Sequence, residues 1–251
     1  MLERQVKMKV ISVIPARYAS TRFPGKPLAS ICGKPMIWWV YNAISQMPEI
    51  SKTYVATDDL RIYDAVKSFN GNAVVTCECN CGTDRVAEVC RDMSFDIVLN
   101  IQGDEPMVRT EHIKALINAF NDTTVQMATL RKKIEEEKEI NDPNIAKVIV
   151  NSSEDAIYFS RNAIPCNRDN IEVVYYKHIG LYAFKRDFLY KFVSLPQSNL
   201  EKAESLEQLR AIENGYNIRT VETAFQSIGV DLPEHINAVE KEIMNIRRNN
   251  L

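Results

Sequence analysis

The residues best suited to chemistry are concentrated first in a basic loop, residues 15–26. The loop carries three cations, Arg17, Arg22 and Lys26, within ten residues. Backbone amides, guanidinium groups and an ammonium group together suit the charge and geometry of a triphosphate. The loop has neither the Walker pattern nor the GxGxxG fingerprint, which are two standard phosphate-binding motifs. From its residues alone, a triphosphate site and a solvated turn are equally good interpretations.

Two short segments offer hard oxygen ligands. Asp104 follows Gly103 after an apolar run, and Asp231 lies in residues 229–234, directly before a helical pattern. Carboxylates in such segments suit Mg²⁺ that is shared with substrate phosphates. Asp231 has a competing interpretation, because aspartate is a preferred N-cap residue, and from the residues alone we favour the cap.

A further group of polar residues is spread along the second half of the chain. Its members are Arg161, His178, Glu207 and Gln208. Side chains of these types could recognise a carboxylate and several hydroxyls. His178 stands within an apolar run, where a structural role is the more common one.

Cysteines alternate at Cys77, Cys79 and Cys81, a spacing that suggests a zinc or iron–sulfur site. Structural zinc sites usually contain CxxC pairs. The chain has no CxxC, and none of its three histidines lies near this segment. We therefore favour reduced thiols that are clustered by chance.

Composition limits the classes of function. The chain has 251 residues, of which 45% are hydrophobic and 25% charged, and a formal net charge of −2. This balance gives no bulk electrostatic reason to expect nucleic-acid or membrane binding. No run of about 18 apolar residues predicts a spanning helix, and the first residues lack an apolar signal core. We expect a cytoplasmic protein in which residues 1–7 are a disordered extension.

The elements that must position these residues alternate along the first half of the chain. Strands are predicted at residues 9–15, 53–57, 72–76 and 96–101, and helices at 36–47, 59–69, 83–92 and 110–121, with Thr83 as an N-cap. This alternation predicts right-handed crossovers and a mainly parallel sheet. Ligands of such sheets bind beyond the carboxyl ends of the strands, which is where the basic loop and Asp104 lie.

The second half is predicted to differ. Strands are predicted at residues 125–130, 146–150, 156–160, 173–184 and 217–221, and helices at 200–214 and 233–248. The charged stretch 132–139 is interpreted as a solvated helix face. Residues 140–190 are expected to form a small β-rich excursion that closes a site or makes a dimer contact. The whole chain, residues 1–251, is predicted to be one α/β domain.

Ordered sequence pieces run through nearly the whole chain. They are IPARYASTRFPGKP at 14–27, GKPM at 33–36, VATD at 55–58, GTDR at 82–85, QGDEPM at 102–107, MATL at 127–130, YFSR at 158–161, HIGLY at 178–182, LEQLR at 206–210 and GVD at 229–231. Together they resemble the CMP-Kdo synthetases, the cytidylyltransferases that activate 3-deoxy-manno-octulosonate (Kdo).

The resemblance implies a fold and a reaction. The fold would be the Rossmann-like, three-layer sheet of the nucleotide-diphospho-sugar transferases. The anomeric hydroxyl of Kdo would attack the α-phosphorus of CTP, giving CMP-Kdo for lipopolysaccharide synthesis and releasing pyrophosphate. The family is commonly dimeric, so a homodimer is expected.

The resemblance also assigns nucleotide and metal residues. It implies that Arg17, Arg22 and Lys26 hold the triphosphate, with Gly82 and Arg85 in the cytidine pocket. It further implies that Asp104 and Asp231 bind Mg²⁺, which reverses the preference for a cap at Asp231. Arg17, Lys26 and Asp104 are the residues expected to act in catalysis.

The sugar-acid contacts implied by the resemblance are Gln102, Arg161, His178, Glu207 and Gln208. Two alternatives share the same reaction, with either the 8-amino analogue of Kdo or a sialic-type acid as the acceptor. A third alternative is a catalytically inactive nucleotide-binding or scaffold protein, against which both carboxylates and all three loop cations argue.

Overall fold

The computed structural model describes residues 8–20, 23–79, 81–226 and 229–249. These residues form two compact units, one of residues 8–110 with 229–249 and one of Glu111–Gln226. The predicted excursion, residues 140–190, falls within the second unit. The extension predicted at residues 1–7 lies outside the described residues.

The elements follow one another along the chain as predicted in outline. The strands are β1 Val10–Pro15, β2 Ser30–Ile31, β3 Lys34–Pro35, β4 Ile50–Thr57, β5 Ala73–Val75, β6 Ile97–Asn100, β7 Met127–Lys133, β8 Lys147–Val150, β9 Ala156–Ser160, β10 Tyr176–Lys185 and β11 Arg219–Glu222. The helices are α1 Met36–Ser45, α2 Leu60–Ser68, α3 Gly82–Cys90, α4 Thr110–Asn118, α5 Glu137–Ile140, α6 Arg186–Ser194, α7 Asn199–Glu204, α8 Leu209–Glu213 and α9 His235–Asn249. Short 3-10 turns occupy Lys26–Leu28 and Ala119–Asn121.

The first unit contains a parallel sheet in the order β6-β1-β4-β5. β1 is the aliphatic run VISVIP and is buried along nearly its whole length, as expected for a parallel strand that is covered on both faces. Because the strands are parallel, the segments that follow β1, β4 and β6 emerge at one edge of the sheet. The basic loop and the segment of Asp104 therefore lie on the same side of this unit.

The C-terminal helix α9 packs within the first unit. Val239 and Ile243 of this helix belong to a buried hydrophobic cluster that also contains Ile31, Met36, Met107 and Val230. The Glu240 carboxylate also accepts a hydrogen bond from the Cys32 backbone N–H at 2.7 Å. These contacts fix the segment before α9, which contains Asp231.

The second unit is built mainly on antiparallel pairing. β10 pairs antiparallel with both β7 and β8, and β8 pairs antiparallel with β9. β11 is the exception because it runs parallel to β7. The alternation of strands and helices in the first unit and the β-rich second unit both match the predicted α/β class.

Two predicted helices differ in the structure. Residues 200–214 form α7 and α8 instead of one helix, because Ser205 takes a left-handed conformation with φ 53° that ends α7. The predicted N-cap Thr83 is wrong, because α3 begins at Gly82 with Cys81 in the cap position. The buried Thr83 hydroxyl instead accepts a hydrogen bond from Asn100 Nδ2 at 3.0 Å, which ties α3 to β6.

The charged stretch 132–139 is only in part a helix. Lys132 belongs to β7 and is 6% exposed, and its ammonium lies 3.1 Å from Glu135 Oε1. The helix is limited to α5, a single turn. Pairing of β7 with β10 overrides the helical propensity of the charged residues here.

In the part of the chain that the structure describes, no helix has the length and apolar character needed to cross a membrane.

Candidate active site

In the basic loop, backbone hydrogen bonds to Tyr18 form a turn. The Tyr18 carbonyl oxygen accepts hydrogen bonds from the N–H groups of Ser20 at 3.0 Å and Gly25 at 2.9 Å. Gly25 has φ 72°, a left-handed conformation that glycine adopts without steric cost. Arg17 is exposed on this loop, and Arg22 lies outside the described residues.

The Lys26 ammonium lies between two carboxylates. Its Nζ is 2.6 Å from Asp104 Oδ2 and 3.5 Å from Asp231 Oδ1. The lysine side chain is 13% exposed, while the two aspartates are 36% and 46% exposed. Because neighbouring carboxylates repel each other, the ammonium stabilises the pair in this arrangement. The structure therefore brings together the lysine predicted to hold a triphosphate and both predicted metal ligands.

Backbone contacts hold the two aspartates at this position. The Val230 N–H donates to the Asp104 carbonyl oxygen at 2.9 Å, which couples the segment of Asp231 to the segment after β6. A Cβ on Gly103 would approach the Pro15 carbonyl oxygen to 3.0 Å. Glycine at position 103 thus lets the segments after β1 and β6 come close together.

Asp231 lies upstream of the N-cap position of α9. The helix begins at His235, so Glu234 directly precedes it. The main-chain N–H of Asp231 donates to His235 Nδ1 at 3.2 Å. The Asp231 carboxylate is the second oxygen donor near Lys26, as the ligand interpretation requires.

Arg85 links three elements of the first unit. Its guanidinium is 5% exposed and donates to Asp58 Oδ2 at 2.6 Å, and it also makes a short hydrogen bond to the Thr76 hydroxyl. These partners follow β4 and β5, so Arg85 ties α3 to the carboxyl ends of both strands. Its place in a cytidine pocket remains a prediction, and the contacts show only that Arg85 holds these segments together. Sequence reasoning missed Asp58 as its partner, although VATD ends at that residue.

The remaining two candidates of the first unit, Gly82 and Gln102, make fewer close contacts than Arg85. Gly82 begins α3, and a Cβ at this position would approach Pro15 Cγ to 3.4 Å. This is ordinary van der Waals contact, so Gly82 lies against the end of β1. Gln102 is half-buried, and its Nε2 lies 3.5 Å from Asn100 Oδ1, a long hydrogen bond. The Gln102 amide thus retains hydrogen-bonding capacity for a ligand.

In the second unit, Tyr182 connects three candidate sugar contacts. Its hydroxyl donates to Gln208 Oε1 at 3.0 Å, and its ring centroid lies 5.4 Å from that of His178. Burial first, and the Glu207 carboxylate next, raise the pKa of Tyr182 well above its ordinary value. The tyrosine therefore stays a neutral hydrogen-bond donor. Sequence reasoning did not select it, although it ends the HIGLY piece.

Gln208 has an unused donor. The residue is 1% exposed, and its Nε2 has no hydrogen-bond partner among the described residues. An unpaired buried N–H group costs about 1–3 kcal/mol. This amide is therefore suited to donate to an oxygen atom of a ligand, and the donor set near Tyr182 is neutral.

His178 is held as a neutral imidazole. Burial lowers its pKa from the ordinary value of 6.5 to about 3. Its Nε2 lies 2.9 Å from the Thr129 hydroxyl oxygen, and that hydroxyl donates to the Leu181 carbonyl oxygen at 2.9 Å. With the single hydroxyl hydrogen directed to Leu181, Nε2–H is the donor to Thr129 and Nδ1 is left as an acceptor, which is the tautomer assigned from this network. His178 can thus accept a hydrogen bond from a hydroxyl but is a poor acid or base at neutral pH.

Arg161 holds the turn that precedes Glu207 and Gln208. Its Nε donates to the Glu204 carbonyl oxygen at 2.7 Å, and Nη1 donates to the Pro143 carbonyl oxygen at 3.0 Å. The Glu204 carboxylate in turn accepts a hydrogen bond from the Arg161 backbone N–H at 2.8 Å. The structure thus gives Arg161 a positioning role, and its predicted contact with a sugar carboxylate remains a prediction.

The alternating cysteines lie in the segment between β5 and α3, and Cys81 is the N-cap of α3. Cys79 Sγ is 3.4 Å from Glu88 Oε2. Burial and that hydrogen bond raise the pKa of the Cys79 thiol to about 11. The thiol is therefore protonated and weakly nucleophilic at neutral pH.

Comparison with known proteins relates these features to a family. The sequence model of the family described as Cytidylyltransferase matches residues 11–222. A 3-deoxy-manno-octulosonate cytidylyltransferase of Solibacter usitatus is 48% identical over 236 residues, which are 93% of this chain and 94% of that protein. The protein of the same name from Fusobacterium nucleatum is 45% identical over 247 residues, which are 97% and 99% of the two chains.

Solved structures agree with the sequence matches. A CMP:2-keto-3-deoxy-manno-octonic acid synthetase in complex with CTP is 44% identical, has a TM-score of 0.90, and covers 94% of this chain and 99% of its own. A cytidylyltransferase of Leptospira borgpetersenii, at 14% identity and a TM-score of 0.63, has the same fold. The predicted, mainly parallel α/β fold is therefore confirmed.

Proposed function

Because the chain belongs to the cytidylyltransferase family, among its 3-deoxy-manno-octulosonate cytidylyltransferases, we propose that it joins CTP to Kdo. The products are CMP-Kdo, an activated sugar for lipopolysaccharide synthesis, and pyrophosphate. The observation that carries this proposal is the position of Lys26 between Asp104 and Asp231 at the carboxyl edge of the parallel sheet. That arrangement of one cation and two carboxylates supports a site that binds phosphates together with a metal ion.

The described residues fit a divalent cation at this position. Oxygens of Asp104 and Asp231 approach a single point, the Lys26 Nζ, at 2.6 and 3.5 Å. Hard carboxylate oxygens from two different segments are the ligand type that Mg²⁺ prefers when it is shared with substrate phosphates. A bound Mg²⁺ would neutralise phosphate charge and make a nearby hydroxyl more acidic. We propose Mg²⁺ as the cofactor on this basis.

The nucleotide side of the reaction depends on positioning and charge. In the step, the anomeric oxygen of Kdo bonds to the α-phosphorus, the bond to the pyrophosphate oxygen breaks, and the hydroxyl proton passes to solvent. Arg17, Arg22 and Lys26 hold the phosphates and stabilise the charge that develops on the leaving pyrophosphate. Gly82 and Arg85 line or position the cytidine pocket.

The sugar side depends on neutral, directional hydrogen bonds. Gln208 Nε2 is a buried donor and His178 Nδ1 an acceptor, both adjacent to Tyr182. A site with paired donors and acceptors discriminates strongly among hydroxylated ligands, because a mismatch leaves a buried group unpaired. Gln102, Arg161 and Glu207 complete the proposed contacts to the acidic sugar.

The proposal is tested by pyrophosphate release from CTP and Mg²⁺ with a panel of acceptors: Kdo, its 8-amino analogue and a sialic acid. We expect Kdo to give the highest kcat/KM. A preference for either of the other two acids would mean that this acid is the substrate of the same reaction. CTP binding without turnover on any acceptor would support the nucleotide-binding scaffold instead.

We also propose that the chain forms a homodimer in the cytoplasm. Large apolar side chains are exposed in the predicted excursion: Ile157 at 51%, Ile171 at 66% and Val174 at 43%. Large apolar side chains exposed in one segment support an interface with a second copy of the chain. Light scattering should give twice the 28.7 kDa chain mass, and Ile171→Asp should reduce it to one chain. A monomeric wild type would contradict the dimer.

A further inference from the structure

The exposed arginine Arg61 makes a contact that the proposed reaction has not used. Its guanidinium carbon lies 3.3 Å from the centroid of the Tyr18 ring. Tyr18 belongs to the loop after β1, and Arg61 belongs to the first turn of α2, which follows β4. Because β1 and β4 are neighbouring parallel strands, the contact joins two segments at the sheet edge that carries Lys26.

Asp59 fixes the orientation of this guanidinium. Arg61 Nε donates to Asp59 Oδ1 at 2.9 Å, and Arg61 Nη2 donates to Asp59 Oδ2 at 2.6 Å. Asp59 is also the N-cap of α2, because Oδ1 accepts a hydrogen bond from the Arg61 backbone N–H at 2.9 Å. A two-point hydrogen bond to a capping residue leaves the planar guanidinium little freedom. Arg61 therefore presents a fixed flat surface to Tyr18.

Tyr18 transmits this position to the loop. Its carbonyl oxygen accepts from Ser20 and Gly25, as described above. A Cβ on Gly25 would lie 3.1 Å from the Tyr18 ring, so the ring packs directly against the Gly25 backbone. The next residue is Lys26, whose ammonium contacts Asp104. One continuous set of contacts thus runs from the α2 cap to the lysine.

We propose that Asp59, Arg61 and Tyr18 are positioning residues that hold the basic loop in its triphosphate-binding conformation. This inference rests on the proposed function. The competing explanation is a surface contact that contributes only to stability, since Arg61 is 60% exposed and exposed ion pairs are usually weak. The two explanations differ in which ligand they affect, because the loop addresses phosphates and not the base.

The test measures equilibrium binding of CTP and of CMP to the full-length chain. Arg61→Leu and Tyr18→Leu should each raise the Kd for CTP about three- to fivefold, as expected for loss of an exposed cation–π contact. The Kd for CMP, which keeps only one of the three phosphates, should rise by a smaller factor. The double variant should bind CTP with an affinity no lower than that of the more strongly affected single variant, because both substitutions remove the same contact. Tyr18→Phe keeps the ring and should bind CTP like wild type.

Two further variants should have a larger effect and no effect, respectively, on CTP binding. Gly25→Ala should weaken CTP binding by about tenfold or more, because it adds backbone strain and displaces the Tyr18 ring. Lys67→Leu, at an exposed position on the same helix, should match wild type. In steady state, Arg61→Leu should raise the KM for CTP while kcat stays within about twofold.

Three outcomes would overturn the inference. Wild-type CTP affinity in Arg61→Leu, with only a lower melting temperature, would show a purely structural contact. Equal weakening of CTP and CMP would show general distortion. If the wild-type chain binds no CTP, both this inference and the proposed function are wrong. If it binds CTP but releases no pyrophosphate, only the proposed function is wrong, and the result on the loop remains valid.

Discussion

In the first unit the cluster of Lys26, Asp104 and Asp231 is charged and partly exposed, whereas in the second unit Tyr182 and its neighbours His178 and Gln208 are neutral. Lys26, Asp104 and Asp231 form an ion cluster with the carboxylates 36% and 46% exposed. Gln208 is 1% exposed, and the His178 pKa is lowered to about 3. Charge binds phosphates and cations over a range of geometries, while neutral buried groups require a specific arrangement of partners. On the proposed function, we therefore expect the first unit to bind the triphosphate and the second to select the sugar.

This contrast predicts that variants in the two units affect different substrates. Changes in the first unit should alter CTP and metal dependence. Changes around Tyr182 should alter the KM for Kdo and leave CTP binding unchanged.

The largest effect is expected from Asp104→Asn. The substitution keeps the shape and the backbone hydrogen bond to Val230 but removes one carboxylate charge. Loss of a metal ligand should lower kcat by roughly 10³-fold or more, with circular dichroism and melting close to wild type. The matched control is Asp64→Asn, at an exposed position on α2. Near wild-type turnover in Asp104→Asn would remove the metal role of this residue.

The sequence predicted the first unit better than the second, for a physical reason. Strand-end loops such as residues 15–26 and 102–107 lie next to short apolar runs, so topology places them together once a parallel sheet is assumed. The ordered motifs then supplied the family. What the sequence did not predict was the position of Lys26 between the carboxylates, because that depends on the contact between Val230 and Asp104.

Contacts in the second unit depend on side-chain packing that no local pattern encodes. His178 was interpreted as more often structural, and its hydrogen-bonding role depends on Thr129, 49 positions away in sequence. Tyr182 was not selected, because a tyrosine in a β-strand is ordinary. The break between α7 and α8 depends on one residue, Ser205, in a left-handed conformation. Helical periodicity across residues 200–214 does not reveal such a break.

The next largest effect is expected from Gln208→Leu. Leucine fills a similar volume but removes both the unpaired Nε2 donor and the Oε1 acceptor of the Tyr182 hydroxyl. The KM for Kdo should rise about 10–50-fold, because a buried hydrogen bond to the sugar is lost, and the Kd for CTP should stay the same. Gln197→Leu, at an exposed position in the second unit, is the control. An equal loss for CTP would contradict the division between the units.

A smaller effect is expected from Lys26→Met on metal binding without nucleotide. The ammonium competes with a divalent cation for Asp104 and Asp231. Removing it should lower the Kd for Mn²⁺, measured by electron paramagnetic resonance, by about tenfold. The same variant should bind CTP more weakly. Lys34→Met, at an exposed position in the first unit, should change neither value, and an unchanged Mn²⁺ affinity in Lys26→Met would show that the ammonium does not compete.

The smallest effect near neutral pH concerns stability and His178. Its pKa is about 3 in the folded chain against an ordinary 6.5, so between these values the unfolded chain binds more protons. The contribution of the neutral ring is therefore complete above about pH 6.5 and declines as the pH falls, by at most about 1.4 kcal/mol per pH unit.

His178→Gln should flatten this acid dependence, because glutamine can still donate to Thr129 but does not titrate. The measurement is the free energy of unfolding in urea between pH 4 and 8. Thr129→Val removes the acceptor of Nε2–H yet keeps the ring buried, so it should be less stable at every pH while keeping the wild-type slope. Parallel curves for wild type and His178→Gln would show that the imidazole is not held neutral by burial, and the contrast between a charged first unit and a neutral second unit would then fail at this residue.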